Sequence, residues 1–185
     1  MFQKQAGGTE LLDAREILED HVRLGYGDKV GALGCGPKAY FTFQAARIVG
    51  DKGTVYAVDI LKDVLSSAES HAKTEGFANV KTIWSNLETY GATNIPEGSL
   101  DLAMLVNVLF ESTDISKMLK EAVRLLKPDG KILIIDWKNI GVPFGPKIDR
   151  RVNQSQIKEY LEVFGLKLQE EFEAGKYHFG MIYKK

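Results

Sequence analysis

Gly34, Gly36 and Asp59 are the residues whose types and spacing point to chemistry. Gly34-Cys35-Gly36 follows directly on the apolar run 30–33, and residues 39–49 then carry apolar positions at helical spacing, closed by Gly50. A second apolar run, 54–58, ends in Asp59. A strand that enters a helix through a tight turn needs residues without a Cβ where backbone meets ligand. The helix beyond offers unpaired N–H groups and the positive end of its dipole to a polar or anionic ligand. A carboxylate finishing the neighbouring strand accepts hydrogen bonds from both hydroxyls of a ribose. Together they describe a nucleoside-containing cofactor laid across the strand tips of a parallel sheet. Gly34-x-Gly36-x-x-Ala39 with Asp59 also satisfies the dinucleotide fingerprint, so NAD stands as a reading of this stretch alone.

The elements that must position these residues alternate between helix and strand along one domain, residues 1–185. Thr9 is placed to cap a helix carrying Ala14, Ile17, Leu18, His21 and Val22 on one stripe, within an N-terminal cap segment 1–24. Val64, Leu65, Ala68 and Ala72 mark the inward stripe of a later helix, with His71 beside it on the surface, and residues 79–84 read as the third strand. Residues 100–108 are a near-continuous apolar run, as a central strand covered on both faces requires, and Asn107 stands near its tip. Ser112-Thr113-Asp114 caps a helix with Ile115, Met118, Leu119, Ala122, Val123 and Leu126 on one face, and Lys127-Pro128-Asp129-Gly130 stops it before a strand over 131–136.

Residues 137–152 are rich in Gly and Pro, lack helical period and leave the sheet at the rim where open α/β folds bind ligands. They read as a lid or substrate wall in which Trp137 and Phe144 give apolar surface and Arg150 or Arg151 grips an anion; a solvated connector with a buried Trp is the plainer alternative. Asn153 with Gln156 forms a capping box, and Val152 with Ile157 a hydrophobic staple, for a helix whose buried stripe is Ile157, Tyr160, Leu161 and Phe164. Strands over 166–172 and 177–183 end the chain as an antiparallel hairpin. With the first of them parallel to the rest of the sheet, its tip lies on the ligand rim and turns Tyr177 and His178 toward the substrate cavity.

The wording of the glycine stretch resembles class I S-adenosylmethionine (AdoMet) methyltransferases, and most closely the small proteins similar to ubiquinone/menaquinone-biosynthesis methyltransferases. Val30-Gly-Ala-Leu-Gly-Cys-Gly-Pro37 and Gly53-Thr-Val-Tyr-Ala-Val-Asp-Ile60 look like that family's first two motifs. Ser85-Asn86-Leu87, Pro96-Glu-Gly-Ser-Leu-Asp101, Asn107-Val-Leu109 and Leu126-Lys-Pro-Asp-Gly130 fall in the order of its later ones. The resemblance implies a Rossmann-like, seven-stranded, mostly parallel sheet with an antiparallel last strand and helices on both faces. It implies AdoMet as cofactor, cradled by Leu33, Gly34, Cys35, Gly36, Asp59, Ile60, Asn86, Leu87 and Asn107, with the Asn86 amide at the adenine edge and Cys35 as a turn residue. Two positions depart from the pattern: Ala32 stands where an acid is usual, and Lys38 where a third glycine is usual.

Methyl transfer from a sulfonium rests mainly on alignment, so the absence of a catalytic triad is compatible with it. Should a base be needed, His178 is the first candidate because imidazole titrates near neutrality, with Tyr177 beside it and Asn107 near the sulfonium. A formal net charge of −1 gives no bulk attraction to nucleic acid, which leaves a small-molecule acceptor. No apolar run approaches the roughly 20 residues of a membrane span. One cysteine fits a reducing cytoplasm, and His21, His71 and His178 stand too far apart in sequence for a metal site. Binding of AdoMet or its product without transfer remains the alternative, prompted by Ala32 and Lys38, with an NAD-dependent oxidoreductase behind it.

Overall fold

The computed structural model describes residues 11–185. Seven strands form one sheet in the order β3-β2-β1-β4-β5-β7-β6. They are β1 Lys29–Leu33, β2 Thr54–Asp59, β3 Val80–Trp84, β4 Leu100–Val106, β5 Leu126–Trp137, β6 Lys167–Glu173 and β7 His178–Lys184. Every neighbouring pair is parallel except β5–β7 and β6–β7. Only β7 runs backwards, so β6 is parallel to the rest and the β6–β7 hairpin tip reaches the C-terminal rim. The seven-stranded, mostly parallel sheet is as the motifs imply.

From β1 the chain steps outward to β2 and β3, then returns to the other side of β1 as β4. That reversal opens a crevice at the tips of β1 and β4, the place where doubly wound sheets receive ligands. Central strands meet helices on both faces, which is why β4 and β5 read as apolar runs without alternation. On one face Ile132 and Ile134 pack with Leu119 and Ala122 of α4 (Ile115–Leu125) and with Ile157 and Leu161 of α5 (Gln154–Val163). On the other, Val30, Leu133 and Ile135 pack with Phe41, Ala45 and Val49 of α2 (Tyr40–Val49) and with Leu18 of the N-terminal segment. A smaller cluster joins Phe43 to Ala68 and Ala72 of α3 (Lys62–Glu75).

Several local expectations shift. The N-terminal helical segment starts at Ala14 behind an Asp13 cap, α1 (Ala14–Glu16), and widens into a π turn, Ile17–His21. The expected cap, Thr9, lies outside the described residues. Asn153 caps α5 by accepting the Ser155 N–H, but Gln156 reaches Tyr160 at 3.2 Å instead of returning to the cap, so the box is half formed. β4 ends at Val106 because Asn107 turns into the left-handed region at φ 53°, and β5 pairs from Leu126 onward, ahead of the proline stop. Among the described residues no helix is long and apolar enough to cross a membrane.

Candidate functional site

The glycine turn is shaped by two constraints. Gly34 sits at φ 77°, and a Cβ there would lie 2.4 Å from Cγ2 of Val108, the residue after Asn107. Gly36, at φ 68°, would meet nothing within 4 Å, so the same turn is closed on its inner side and open on its outer one. The N–H groups of Gly34 and Cys35 both donate to Val58 O, at 2.9 and 3.0 Å, which fastens the turn to β2. Helix α2 follows with Ala39 in the left-handed region (φ 46°) and no side chain capping its first turn. The helix start is thus displaced past Lys38, whose side chain is exposed. Ala32 is buried on the α2 face, among apolar residues.

Asp59 is 8% exposed and held from two sides. Its Oδ2 accepts the Gly36 N–H at 3.1 Å and its Oδ1 the Leu61 N–H at 3.0 Å. Oδ2 also receives the Cys35 thiol, at 3.9 Å, so Oδ1, with one backbone donor, is the oxygen with a spare lone pair for a hydroxyl. Beside it Ile60 (51% exposed) and Trp84 (55% exposed) form an apolar ledge, the Trp84 indole N–H donating to Ile60 O at 2.8 Å. Trp84 is paired with Asp59 in the β2–β3 register. The sequence reading passed over Trp84, although an aromatic at a strand end beside the acid was the available signal.

Not every expected residue reaches this crevice with its side chain. Leu33 and Leu87 are core residues of the α4–α5 face. Asn86 Oδ1 accepts the Glu88 N–H at 2.9 Å, as a turn-forming asparagine does. Cys35 keeps its proton, because burial and then the nearby Asp59 charge push the thiol up to about 12. Asn107, by contrast, has both side-chain amide atoms buried and without hydrogen-bond partners at the tip of β4. Buried amides normally find partners, so this one is poised for something else.

Across the crevice, a cavity of about 700 Å³ is lined by Phe110, Glu111, Pro146, Lys147, Asp149 and Arg150. Phe110 and Glu111 belong to a 3-10 turn, Leu109–Glu111, and Arg150 to another, Ile148–Arg150. Glu111 is raised above the usual carboxylate range by burial and by the Asp59 charge, with Arg150 acting the other way. The loop after β5 is pinned. Arg151 donates to the carbonyls of Lys138 (2.7 Å), Pro146 (3.1 Å) and Ile140, and its guanidinium lies 5.7 Å over the Trp137 ring. That leaves Arg150, not Arg151, as the guanidinium on the cavity.

Trp137 and His178 pair across β5–β7 with ring centroids 4.2 Å apart, and Tyr177 meets Phe144 edge to face at 4.9 Å. The hairpin tip is on the rim as expected, but His178 is 0% exposed and both ring nitrogens lack partners. Its position behind Trp137 corrects the expectation of an open, cavity-facing imidazole. Burial, then the Lys138 and Arg151 charges, push the ring down to about 4, so it is neutral at pH 7.

Residues 27–174 match the family model described as a methyltransferase domain. The chain is 32% identical over 124 residues to a demethylmenaquinone methyltransferase of a Geobacillus species, covering 66% of this chain and 50% of that protein. It is 35% identical over 98 residues to an arsenite methyltransferase of Aquipseudomonas alcaligenes, covering 51% and 28% respectively. The chain therefore spans half or less of these curated relatives' length. Among solved structures, a SAM-dependent methyltransferase from Aquifex aeolicus superposes with a TM-score of 0.86 at 27% identity, over 97% of this chain and 93% of that one.

Proposed function

The chain belongs to the methyltransferase-domain family, and from that premise we propose that it transfers a methyl group from AdoMet to a small, polar acceptor. The observation that carries the cofactor is Asp59, a carboxylate at the tip of β2 whose two oxygens are fixed by the Gly36 and Leu61 N–H groups, Oδ2 also receiving the weakly donating Cys35 thiol and Oδ1 keeping an acceptor position. The Ile60–Trp84 ledge is suited to a flat base, the open side of Gly36 to close backbone approach, and the unpartnered Asn107 amide to the polar end of the methionine portion. When bound, AdoMet supplies an already activated methyl on a sulfonium.

The residues of this chain then have to bind, orient and exclude water, and a base is dispensable. His178 is a reserve proton acceptor, neutral above about pH 4 but reached only past Trp137, with Tyr177 at its side. Four of the six side chains on the acceptor cavity are charged, which disfavours an apolar ring and favours a small polar molecule. Arsenic(III) is soft and thiolate-seeking, and the single cysteine is a protonated thiol in the glycine turn, so arsenite is not the acceptor we infer. One free thiol also accords with a reducing compartment.

Calorimetry with AdoMet, S-adenosylhomocysteine and NAD tests the cofactor: the first two bind in the micromolar range and NAD does not. Asp59→Ala weakens S-adenosylhomocysteine binding by about 100-fold, the loss of two hydrogen bonds to a charged acceptor. NAD bound with AdoMet ignored reverses the assignment. Methyl-labelled AdoMet offered with small amines, hydroxy acids, naphthoquinols and arsenite then reads the acceptor, and label found only in the naphthoquinol overturns the polar class.

A further inference from the structure

Glu88 stands in the loop after β3, and its carboxylate gathers donors from the segment after β4. Oε1 accepts the Ser112 hydroxyl at 2.7 Å and the N–H groups of Thr113 at 2.7 Å and Asp114 at 3.3 Å. Oε2 accepts the Thr113 hydroxyl at 2.6 Å. Burial opposes the charge, but the Thr113 and Ser112 hydroxyls and the Thr113 and Asp114 amides outweigh it and hold the carboxyl down at about 2. Helix α4 does not need this carboxylate as its cap, because Asp114 already accepts the Lys117 N–H at 3.1 Å. What Glu88 holds is the stretch 112–114 that leads into the helix.

That stretch closes the wall of the acceptor cavity. The Ser112 N–H donates to Leu109 O at 3.1 Å, which ends the Leu109–Glu111 turn, and Phe110 and Glu111 of the turn line the cavity. At its other end the segment leaves β4 through Asn107, whose N–H donates to Ile135 O at 2.8 Å. Glu88 is in turn tied to the cofactor side. Its own N–H donates to Asn86 Oδ1 at 2.9 Å, and the Ser85 N–H donates to the carbonyl of Asp59 at 3.1 Å. Hydrogen bonds joined by short runs of backbone thus lead from the tip of β2, through the loop after β3, to the cavity wall after β4.

We propose that Glu88 is a positioning residue of the methyl-transfer site: its carboxylate holds residues 112–114, and through them Phe110 and Glu111, in fixed register with the strand end that carries Asp59. The proposal rests on the methyl-transfer reading for what the wall holds. Asp59 serves the cofactor and the wall serves the acceptor, and in-line transfer needs the two at a set distance. A wall displaced by about 1 Å misaligns the nucleophile with the methyl, at a cost of about 100-fold in rate. Glu88→Gln sets an NH2 donor where a carboxylate oxygen had accepted, so it breaks the clasp while the backbone tie to Asn86 survives.

Amide NMR of the whole chain tests the clasp without an acceptor. In Glu88→Gln the Thr113 and Asp114 resonances move and the change extends to Phe110 and Glu111, while Gly36 and Leu61, the amides bonded to the Asp59 carboxylate, stay in place. A change confined to residues 112–114 overturns the positioning role. So does one that reaches Gly36 and Leu61, which would make Glu88 part of the general scaffold. Should Glu88→Gln not fold, Thr113→Val removes one donor from the other side of the clasp and is read on the same resonances. On any acceptor turned over in the labelled-AdoMet panel, kcat/KM for the acceptor falls about tenfold in Glu88→Gln, while KM for AdoMet stays within about twofold. Equal losses for both substrates, or acceptor kinetics left unchanged, overturn the proposal. Failure of the wild type to bind S-adenosylhomocysteine overturns the methyl-transfer reading and the proposal with it, whereas normal binding with an unmoved wall overturns the role of Glu88 alone.

Discussion

Glu121 and Asp136 are both 0% exposed carboxyls on the α4–α5 side of the sheet, yet they sit in opposite electrostatic states. Glu121 meets Arg124 one helical turn on, at 2.7 Å, and accepts the N–H groups of Gly91 and Thr93 at 2.8 and 3.0 Å. Burial opposes its ionisation, but those hydrogen bonds hold it down at about 2. Asp136 accepts the Trp137 N–H and meets no cation among the described residues, and burial wins, at about 7. The first fastens the 91–93 loop to α4. The second lies at the end of β5, where its Oδ1 accepts the Trp137 N–H. Full partnering gives a rigid strut, whereas partial partnering leaves a group whose charge can change near neutral pH.

Removing the strut has the largest expected effect. Glu121→Ala leaves the buried Arg124 guanidinium without its partner and destabilises the fold by about 3–5 kcal/mol, read as a drop in the urea midpoint. A loss below about 1 kcal/mol would mean that Glu121 is no better paired than a surface acid, and the contrast with Asp136 would fail.

The pH dependences differ in sign. Glu121, depressed from 4.5 to about 2, contributes stability that is full above pH 4.5 and is lost as the pH falls toward 2. Asp136, raised from 3.8 to about 7, contributes stability that is full below 3.8 and is lost as the pH rises through 7. Asp136→Asn therefore gains Tm relative to wild type between pH 5 and pH 8, by roughly 4–8 °C for a few kcal/mol in a chain of this size. A difference that stays constant with pH would show that Asp136 does not titrate in the folded state.

Lys38→Gly is the smallest effect and marks the limit of the comparison, since its side chain is exposed. S-adenosylhomocysteine affinity changes by less than about threefold on calorimetry. Tightening of tenfold or more would mean that Lys38 crowds the crevice.

The glycine turn, Asp59, the helices on both faces and the antiparallel β7 were legible in the chain because each depends on local spacing. Gly34 and Gly36 bracket a strand-to-helix turn, Asp59 ends an apolar run, and residues 166–183 contain two strands too close together for a crossover. The burial of the Leu87 side chain and of His178, and the choice of Arg150 over Arg151 for the cavity, were not legible because position along the chain says which end of the sheet a residue occupies, not what covers it. Arg151 is taken up by three carbonyls of its own loop, and His178 by the Trp137 ring.

The amino-acid order alone determined the α/β alternation, the strand that runs backwards and a nucleoside-type crevice at the tips of β1 and β2, since hydrophobic period and glycine placement act over a few residues. Only the folded chain decided that Asn107 leaves β4 bonded to Ile135 of β5, that Trp84 stands beside Asp59, and that His178 is shut away. Those contacts join segments tens of residues apart, and the charge each group carries follows from desolvation and partners that exist only once the sheet has formed.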